Sequence, residues 1–391
     1  MAESTLLEEP RWLVERRRKG ASLAKELPLP DQKAKGWEFT DLSDLVFESF
    51  EVGEVERTIE AGAAADAGAI VMPLEEALAD HDELLQERLG SLVAIEDPFV
   101  ARNDAAWQHG VLIYVPNGVR LTDPIRIEVG APTGAASAWR NLVVLGDGAE
   151  AEVWERYSSA EDGDGLLNAV VEVSVGQGAR LSYVAVQELS EQAWVFASQR
   201  AEVGRDAVLD WTALGFGSAR GKVRMETNLA GRGAEARVTG AYAGGGSQHL
   251  DYDTTQEHAA PNTTSDLAFR GVLADSATAV WRGMIRVDVG AQQTDAFQES
   301  RNLLLSPKAH ADAIPGLEIE ANDVRCTHAA AVAQIDPEQV YYLTSRGLSP
   351  EAAKRLILEG FLEALVGRVR AGEIRETVSA ALERRLAEIL A

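Results

Sequence analysis

A short pattern recurs along the middle of this chain at almost constant spacing. An apolar residue closes a β-prone run, turn-forming residues follow, and a small or β-branched residue opens the next run. It reads Val115-Pro116-Asn117-Gly118-Val119, Leu145-Gly146-Asp147-Gly148-Ala149, Val175-Gly176-Gln177-Gly178-Ala179 and Val203-Gly204-Arg205-Asp206-Ala207. The starts advance by 30, 30 and 28 residues, and a looser copy, Leu229 to Ala234, follows after 26. Farther on, Leu273 to Ala277, Val289-Gly290-Ala291 and Leu305 to Ala309 start 16 residues apart. A long fixed period marks stacked units, none of which buries its apolar face alone. Sandwich strands turn every 8–12 residues or so, without such a period. Residues 106–336 are therefore expected to form a β-helix, and the chain as a whole to be mainly β.

The flanks have a different texture. Residues 1–105 read as an N-terminal helical region. Pro10 to Leu27 is charged and helix-prone, and Leu74 to Leu89 places Leu74, Ala77, Leu78, Leu84 and Leu85 at helical spacing. Between them, Gly36-Trp37-Glu38-Phe39-Thr40-Asp41-Leu42 sets two aromatics in a polar frame, suited to packing one helix on the next. Residues 337–391 read as a C-terminal helical domain. Pro337 to Arg346 is expected to be helical and to end at Gly347. A second helix starts with Ser349 as N-cap, Pro350 at N1 and Glu351 near the positive helix end. Its apolar stripe is Ala353, Leu356, Ile357, Phe361, Leu362 and Leu365, and Ile374 to Leu390 forms a third helix.

Composition narrows the function classes. A net charge of −25 disfavours nucleic acid and anionic membrane surfaces as partners. No stretch approaches the roughly 18 apolar residues of a membrane span. The N-terminus Met1 to Pro10 has no basic region followed by an apolar one, so no secretory signal is expected. A single cysteine precludes an intramolecular disulfide framework. The expected compartment is the cytoplasm.

Enzyme motifs are missing or incomplete. Gly217-Ser218-Ala219-Arg220-Gly221-Lys222 lacks phosphate-loop spacing, and Val223 stands where a magnesium-binding hydroxyl belongs. Tyr242-Ala243-Gly244-Gly245-Gly246 reads as a loop. His249 and His258 share no metal-binding spacing and read as loop or surface histidines. Many β-helices act on polysaccharides, and Asp251, Asp253, Glu257 and Asp266 are the nearest approach to the carboxylate cluster such an enzyme needs. A carbohydrate-active β-helix enzyme is thus the remote alternative.

The most specific chemistry lies in Val324-Arg325-Cys326-Thr327-His328. On a strand, residues two apart share a face, which pairs the lone thiol with an imidazole. Both ligate soft or borderline metals. Two ligands fall short of the four that a zinc ion or an iron–sulfur cluster usually takes. A site built on Cys326 and His328 therefore needs a second chain.

These residues sit in long runs that resemble the SufB/SufD family of the SUF iron–sulfur cluster assembly machinery. The runs are Pro261 to Asp266, Phe269 to Leu273, Gly290 to Ala296, Ser300 to Ser306 and Leu317 to Ala329. Tyr341 to Leu348, Leu358-Glu359-Gly360-Phe361 and Trp37 to Leu42 also fit. Ala329-Ala330-Ala331-Val332 departs from the family's usual Gly-Ala-Thr-Val. The length and the Cys-x-His pair favour the SufD branch over SufB. The resemblance implies a right-handed parallel β-helix between helical regions and a non-catalytic scaffold. It implies pairing with SufB, or self-pairing in a homodimer, through the β-helix end. It also implies docking of the SufC ATPase on the C-terminal helices, at Tyr342, Leu358, Glu359, Gly360 and Phe361. No cofactor is expected on the chain alone; His328 and Cys326 would meet a transient iron–sulfur cluster at the subunit interface. A SufB-like or homodimeric cluster carrier is the alternative.

Overall fold

The computed structural model describes residues 9–390, so most of the Met1–Pro10 signal reading lies outside the described residues. The middle of the chain winds as a parallel β-solenoid, as its repeat requires. One sheet contains β4 (His109–Val115), β6 (Ala135–Leu145), β8 (Leu166–Val175), β10 (Trp194–Val203), β12 (Arg220–Leu229), β14 (His249–His258), β16 (Thr278–Val287) and β18 (His310–Ile319). The other contains β5 (Ile125–Ala131), β7 (Glu150–Ser159), β9 (Arg180–Glu188), β11 (Val208–Gly215), β13 (Glu235–Gly244), β15 (Thr264–Leu273), β17 (Asp295–Leu304) and β19 (Arg325–Gln334). Every strand from β6 onward lies parallel on the strand two before it, giving eight coils of two strands.

The corners explain the repeat. At one corner of successive coils a residue takes a left-handed backbone: Gly118 at φ 72°, Asp206 at 53°, Asn262 at 61°, Gln293 at 60°. Glycine and short polar residues tolerate that region best. Each such N–H donates to a carbonyl of the next coil, as Gly118 does to Asp147 at 2.8 Å and Asn262 to Gln292 at 2.9 Å. The 16-residue spacing has a simple origin. Leu273 and Leu305 close strands at one corner, whereas Val289 lies at the opposite corner, half a coil away.

The first coil is capped. β2 (Glu56–Glu60) and β3 (Ile70–Pro73) pair antiparallel with β5 and β4, while β1 (Glu51–Val52) pairs with β6. The sequence reading of 1–105 as helical did not anticipate these strands. Leu74 to Leu89 is also two helices, α2 (Leu74–Asp80) and α3 (Asp82–Arg88), because His81 leaves helical geometry at φ −132°, ψ 31°. They pack with α1 (Arg11–Glu26) and α4 (Pro98–Ala106) on the outer face of the first sheet. Trp37 stacks on Phe99 at 5.2 Å, and Phe99 on Phe196 of β10 at 3.9 Å, so the aromatic segment joins a helix to a sheet.

A buried ionic network anchors that cover. Arg140 of β6 bonds Asp104 of α4 and, at 2.9 Å, Glu172 of β8; all three side chains are excluded from solvent. Arg16 of α1 reaches Asp104 at 2.6 Å, and the Gly90, Leu92 and Val93 N–H groups donate to Glu172. Removing one member of such a network strands its partners uncompensated in low dielectric. Arg140→Ala should therefore cost about 3–5 kcal/mol, read as a lowered midpoint in chemical denaturation.

The solenoid interior is mostly apolar but carries polar groups toward its last coils. His258 is fully buried on β14, not in a loop, with Nδ1 2.8 Å from Thr263 and Nε2 2.9 Å from Ser265. Burial pushes its pKa from 6.5 down to about 4. Below pH 6.5 the unfolded chain then binds a proton that the folded chain refuses until about pH 4. Stability attributable to this group is whole above pH 6.5 and falls with pH across that window. The slope should approach about 1.4 kcal/mol per pH unit. His258→Gln should flatten that part of the stability–pH curve in denaturation series.

Candidate functional site

The two ends of the solenoid differ. β2 and β3 close the first coil, whereas among the described residues β18 pairs only with β16 and β19 only with β17. Half of the backbone groups on each terminal strand therefore have no ladder partner. Natural sheets usually cover or blunt such edges.

Cys326 and His328 lie on this open edge. In the β17–β19 register Cys326 sits over Ala296, His328 over Gln298, and Val332 over Asn302. Ala296, Gln298 and Asn302 are buried and belong to the interior column. One rung later the same column is uncovered: His328 is exposed and Val332 is 43% exposed. Across the coil, Leu317 and Ile319 of β18 are exposed as well, at register positions above buried Ile285 and Val287. Core-type residues stand in solvent because no further coil covers them. Below His328, the Gln298 amide donates to the carbonyls of Gly283 at 3.3 Å and Gly316 at 3.1 Å, closing the floor of the opening.

The two candidate ligands differ in readiness. Cys326 packs on Ile285, Val287, Ala291, Ala296 and Val324. Burial, reinforced by the Asp295 charge, raises its thiol pKa. The thiol therefore holds its proton at neutral pH, and a metal has to displace that proton to gain the thiolate. His328 is exposed and keeps a ring nitrogen available. Among the described residues, no three His, Cys, Asp or Glu side chains gather as a metal site. The pair stands on the last rung of the sheet.

The C-terminal helices divide the residues assigned to docking. α5 (Pro337–Ser345) starts at Asp336, and α6 (Pro350–Val366) at Ser349, whose hydroxyl accepts from Ala352 N–H at 3.2 Å. α7 (Glu373–Leu390) follows. Leu358, Leu362 and Leu365 of α6, with Val378 and Leu382 of α7, bury against Val184, Leu214, Ala241 and Val272 on the outer face of the second sheet. Leu358 is thus wholly covered, and Phe361 lies half-buried under Arg270 at 5.0 Å. Both hold the helices on the solenoid; Leu358 offers no outward face, and Phe361 only part of one. Glu359 pairs with Arg355 at 2.8 Å, and Gly360 is exposed. Tyr342 is 56% exposed, with Arg346 over its ring, and Tyr341 is 76% exposed. Leu348 and Leu356 are exposed too, although Leu356 was expected in the buried stripe. Exposed aromatics and leucines on two successive helices form the docking-type surface that periodicity alone did not single out.

The other sequence candidates resolve as structural groups. Asp251, Asp253 and Glu257 line the outer face of β14, while Asp266 lies on β15 in the opposite sheet. Each has a cation: Asp251 meets Lys222 at 2.8 Å, Glu257 meets Arg200 at 2.8 Å, and Asp266 meets Arg368 at 3.0 Å. Asp253 stands 3.6 Å from Lys222. Carboxylates split between two sheets and neutralised in place do not form a glycoside-cleaving pair. Lys222 is buried in that ion pair beneath the Trp37 ring, so it offers nothing to a phosphate. His249 opens β14 rather than sitting in a loop, and its Nε2 lies 3.0 Å from Thr40. Tyr242, Ala243 and Gly244 end β13, leaving only Gly245 and Gly246 of that run in the turn.

Comparison with known proteins agrees with this architecture. The family model for the SUF system FeS cluster assembly SufBD core domain matches residues 128–361, and that for the SufBD protein N-terminal region matches residues 53–127. The chain is 29% identical to the iron–sulfur cluster assembly protein SufD of Bacillus subtilis, over 97% of this chain and 95% of that protein. It is 28% identical to an iron–sulfur cluster assembly SufBD family protein of Mycobacterium tuberculosis, over 92% and 89%. It is 25% identical to a SufBD family protein of Staphylococcus epidermidis, over 92% and 86%. With the core model covering more than half its length, the chain belongs to the SufB/SufD family of iron–sulfur cluster assembly proteins.

Proposed function

We propose that this chain is a non-catalytic, SufD-type scaffold that completes a nascent iron–sulfur cluster site only when a second chain joins its open end. The observation that carries the reading is the last rung. Cys326 and His328 stand on β19, which has a neighbour on one side only. A second solenoid end, from SufB or from another copy, would pair with β19 or cover the exposed Leu317, Ile319 and Val332. It would bring the missing ligands with it. His328 serves as the first ligand, through the lone pair of a neutral ring nitrogen. Cys326 is the auxiliary one, since its thiol yields a proton less readily.

SufC docking is assigned to the exposed side of α5 and α6, around Tyr341, Tyr342, Leu348 and Leu356. Leu358 and Phe361 act indirectly, by fixing those helices on the second sheet. A pull on α5 and α6 would thereby act on the solenoid face beneath.

Four outcomes are expected. His328→Ala should remove most cluster formation in a reconstituted complex with SufB and SufC, scored by iron and sulfide content; wild-type yield sinks the ligand role. Val332→Asp should abolish co-purification with the partner while leaving the melting temperature of the isolated chain within a degree or two, because the residue is already exposed. Tyr341→Ser together with Tyr342→Ser should weaken SufC binding by roughly tenfold or more in calorimetry. Leu358→Ala should instead lower stability by about 2–5 kcal/mol.

A further inference from the structure

We infer that the cleft between α1, α4 and the outer face of the first sheet binds a small uncharged aromatic molecule carrying one N–H donor, with Asn168 as its polar anchor. The cleft encloses about 380 Å³, within the roughly 300–1,000 Å³ of small-molecule sites. Ala24 of α1, Ala105 of α4, Ala138 of β6 and Leu166 of β8 line it, together with Phe47 and Phe50 from the segment before β1.

The lining explains why the space stays open. Alanine side chains stop at Cβ, so two helices and two strands meet around a hollow that they do not fill. Well-packed interfaces between elements leave no gap of this size. A concave, mostly apolar hollow with one placed polar group is the usual form of a small-molecule site.

Asn168 supplies that polar group. It lies on β8, lines the cleft and is 4% exposed. Its Nδ2 donates to the Phe99 carbonyl at 2.8 Å, which fixes the orientation of the amide. Among the described residues, no group donates to its Oδ1. Side-chain acceptors this deep normally have a donor.

These features define the ligand. Charge does not select it, because the cleft carries Lys25 and Arg102 against Glu48. The Arg102 guanidinium lies over the Phe47 ring at 4.6 Å and is already influenced by the Glu48 charge. The phenylalanines favour an aromatic partner, stacked with an offset or edge on. The free amide oxygen calls for an N–H at one edge of that ring. A ligand held there would brace α1 and α4 against the sheet, away from the Cys326–His328 rung.

The test uses the full chain with indole as the probe, in calorimetry and thermal denaturation. Binding should be saturable and should raise the melting temperature with indole concentration. 1-Methylindole, which keeps the ring and loses the N–H, should bind roughly tenfold more weakly. Ala24→Phe and Ala138→Phe fill the cleft from two sides and should each abolish measurable binding. Val289→Phe, which adds the same ring at an exposed corner, should leave it unchanged. In the wild-type chain, indole should slow amide exchange around residues 102–106 and 136–138. Three results overturn the site: no saturable binding at millimolar indole, unchanged exchange in both segments, or wild-type affinity in both filled variants. Equal affinity for 1-methylindole overturns the anchoring by Asn168.

Discussion

Coil-on-coil hydrogen bonding is the constraint on which the rest of this structure depends. A parallel solenoid satisfies the backbone of one rung only through its neighbours, and it buries one rung's apolar residues only beneath the next. Such a stack needs a stop at each end. The first coil gets one within the chain, from antiparallel β2 and β3. The last coil gets none among the described residues, and there the interior column emerges into solvent as His328, Ala330, Val332 and Gln334. An uncovered rung is costly to keep on an isolated molecule, which is why it reads as an interface. The same geometry places the thiol and imidazole: they occupy interior-column positions of a rung that the proposed partner would cover.

The two covers on the sheets do different jobs. On the first sheet, α1 to α4 are locked by charges, with Arg140 between Asp104 and Glu172 as the buried centre. On the second, α6 and α7 are held by an apolar interface of leucines and valines over alanine and valine strands, flanked by ion pairs such as Arg368–Asp266 and Arg385–Glu191.

Much of this was legible in the sequence because successive coils place a left-handed residue at the same corner. Glycine, asparagine and aspartate at those points print the coil length on the chain, and the halved spacing after Leu273 records corners from both sides of the coil. Helix ends at Asp336-Pro337 and Ser349-Pro350 were equally legible, since caps are local. What failed was non-local. β1 to β3 are only two to five residues long and partly exposed, too short to carry a strand signal until the solenoid offers an edge to pair with. His258 gives no hint of burial, because its hydroxyl partners arise from the corner that follows β14. The face of α6 was half right: Leu362 and Leu365 turn inward, but Leu356 turns out while Leu358 turns in. Only the position of the sheet beneath decides that. Cys326 and His328 were visible as a pair, yet their exposure depends on where the stack ends.

Backbone amide exchange on β18 and β19 tests the central claim most directly, because the half of a terminal rung's amides that face away from its single neighbour should exchange freely. The account predicts an alternation of fast and protected amides along Arg325–Gln334 in the isolated chain and marked slowing of the fast set when SufB is added, with the β4–β6 region unchanged. A complex that forms while β18 and β19 exchange as fast as before would contradict it, since the partner would then be bound elsewhere and the half-site would remain half a site.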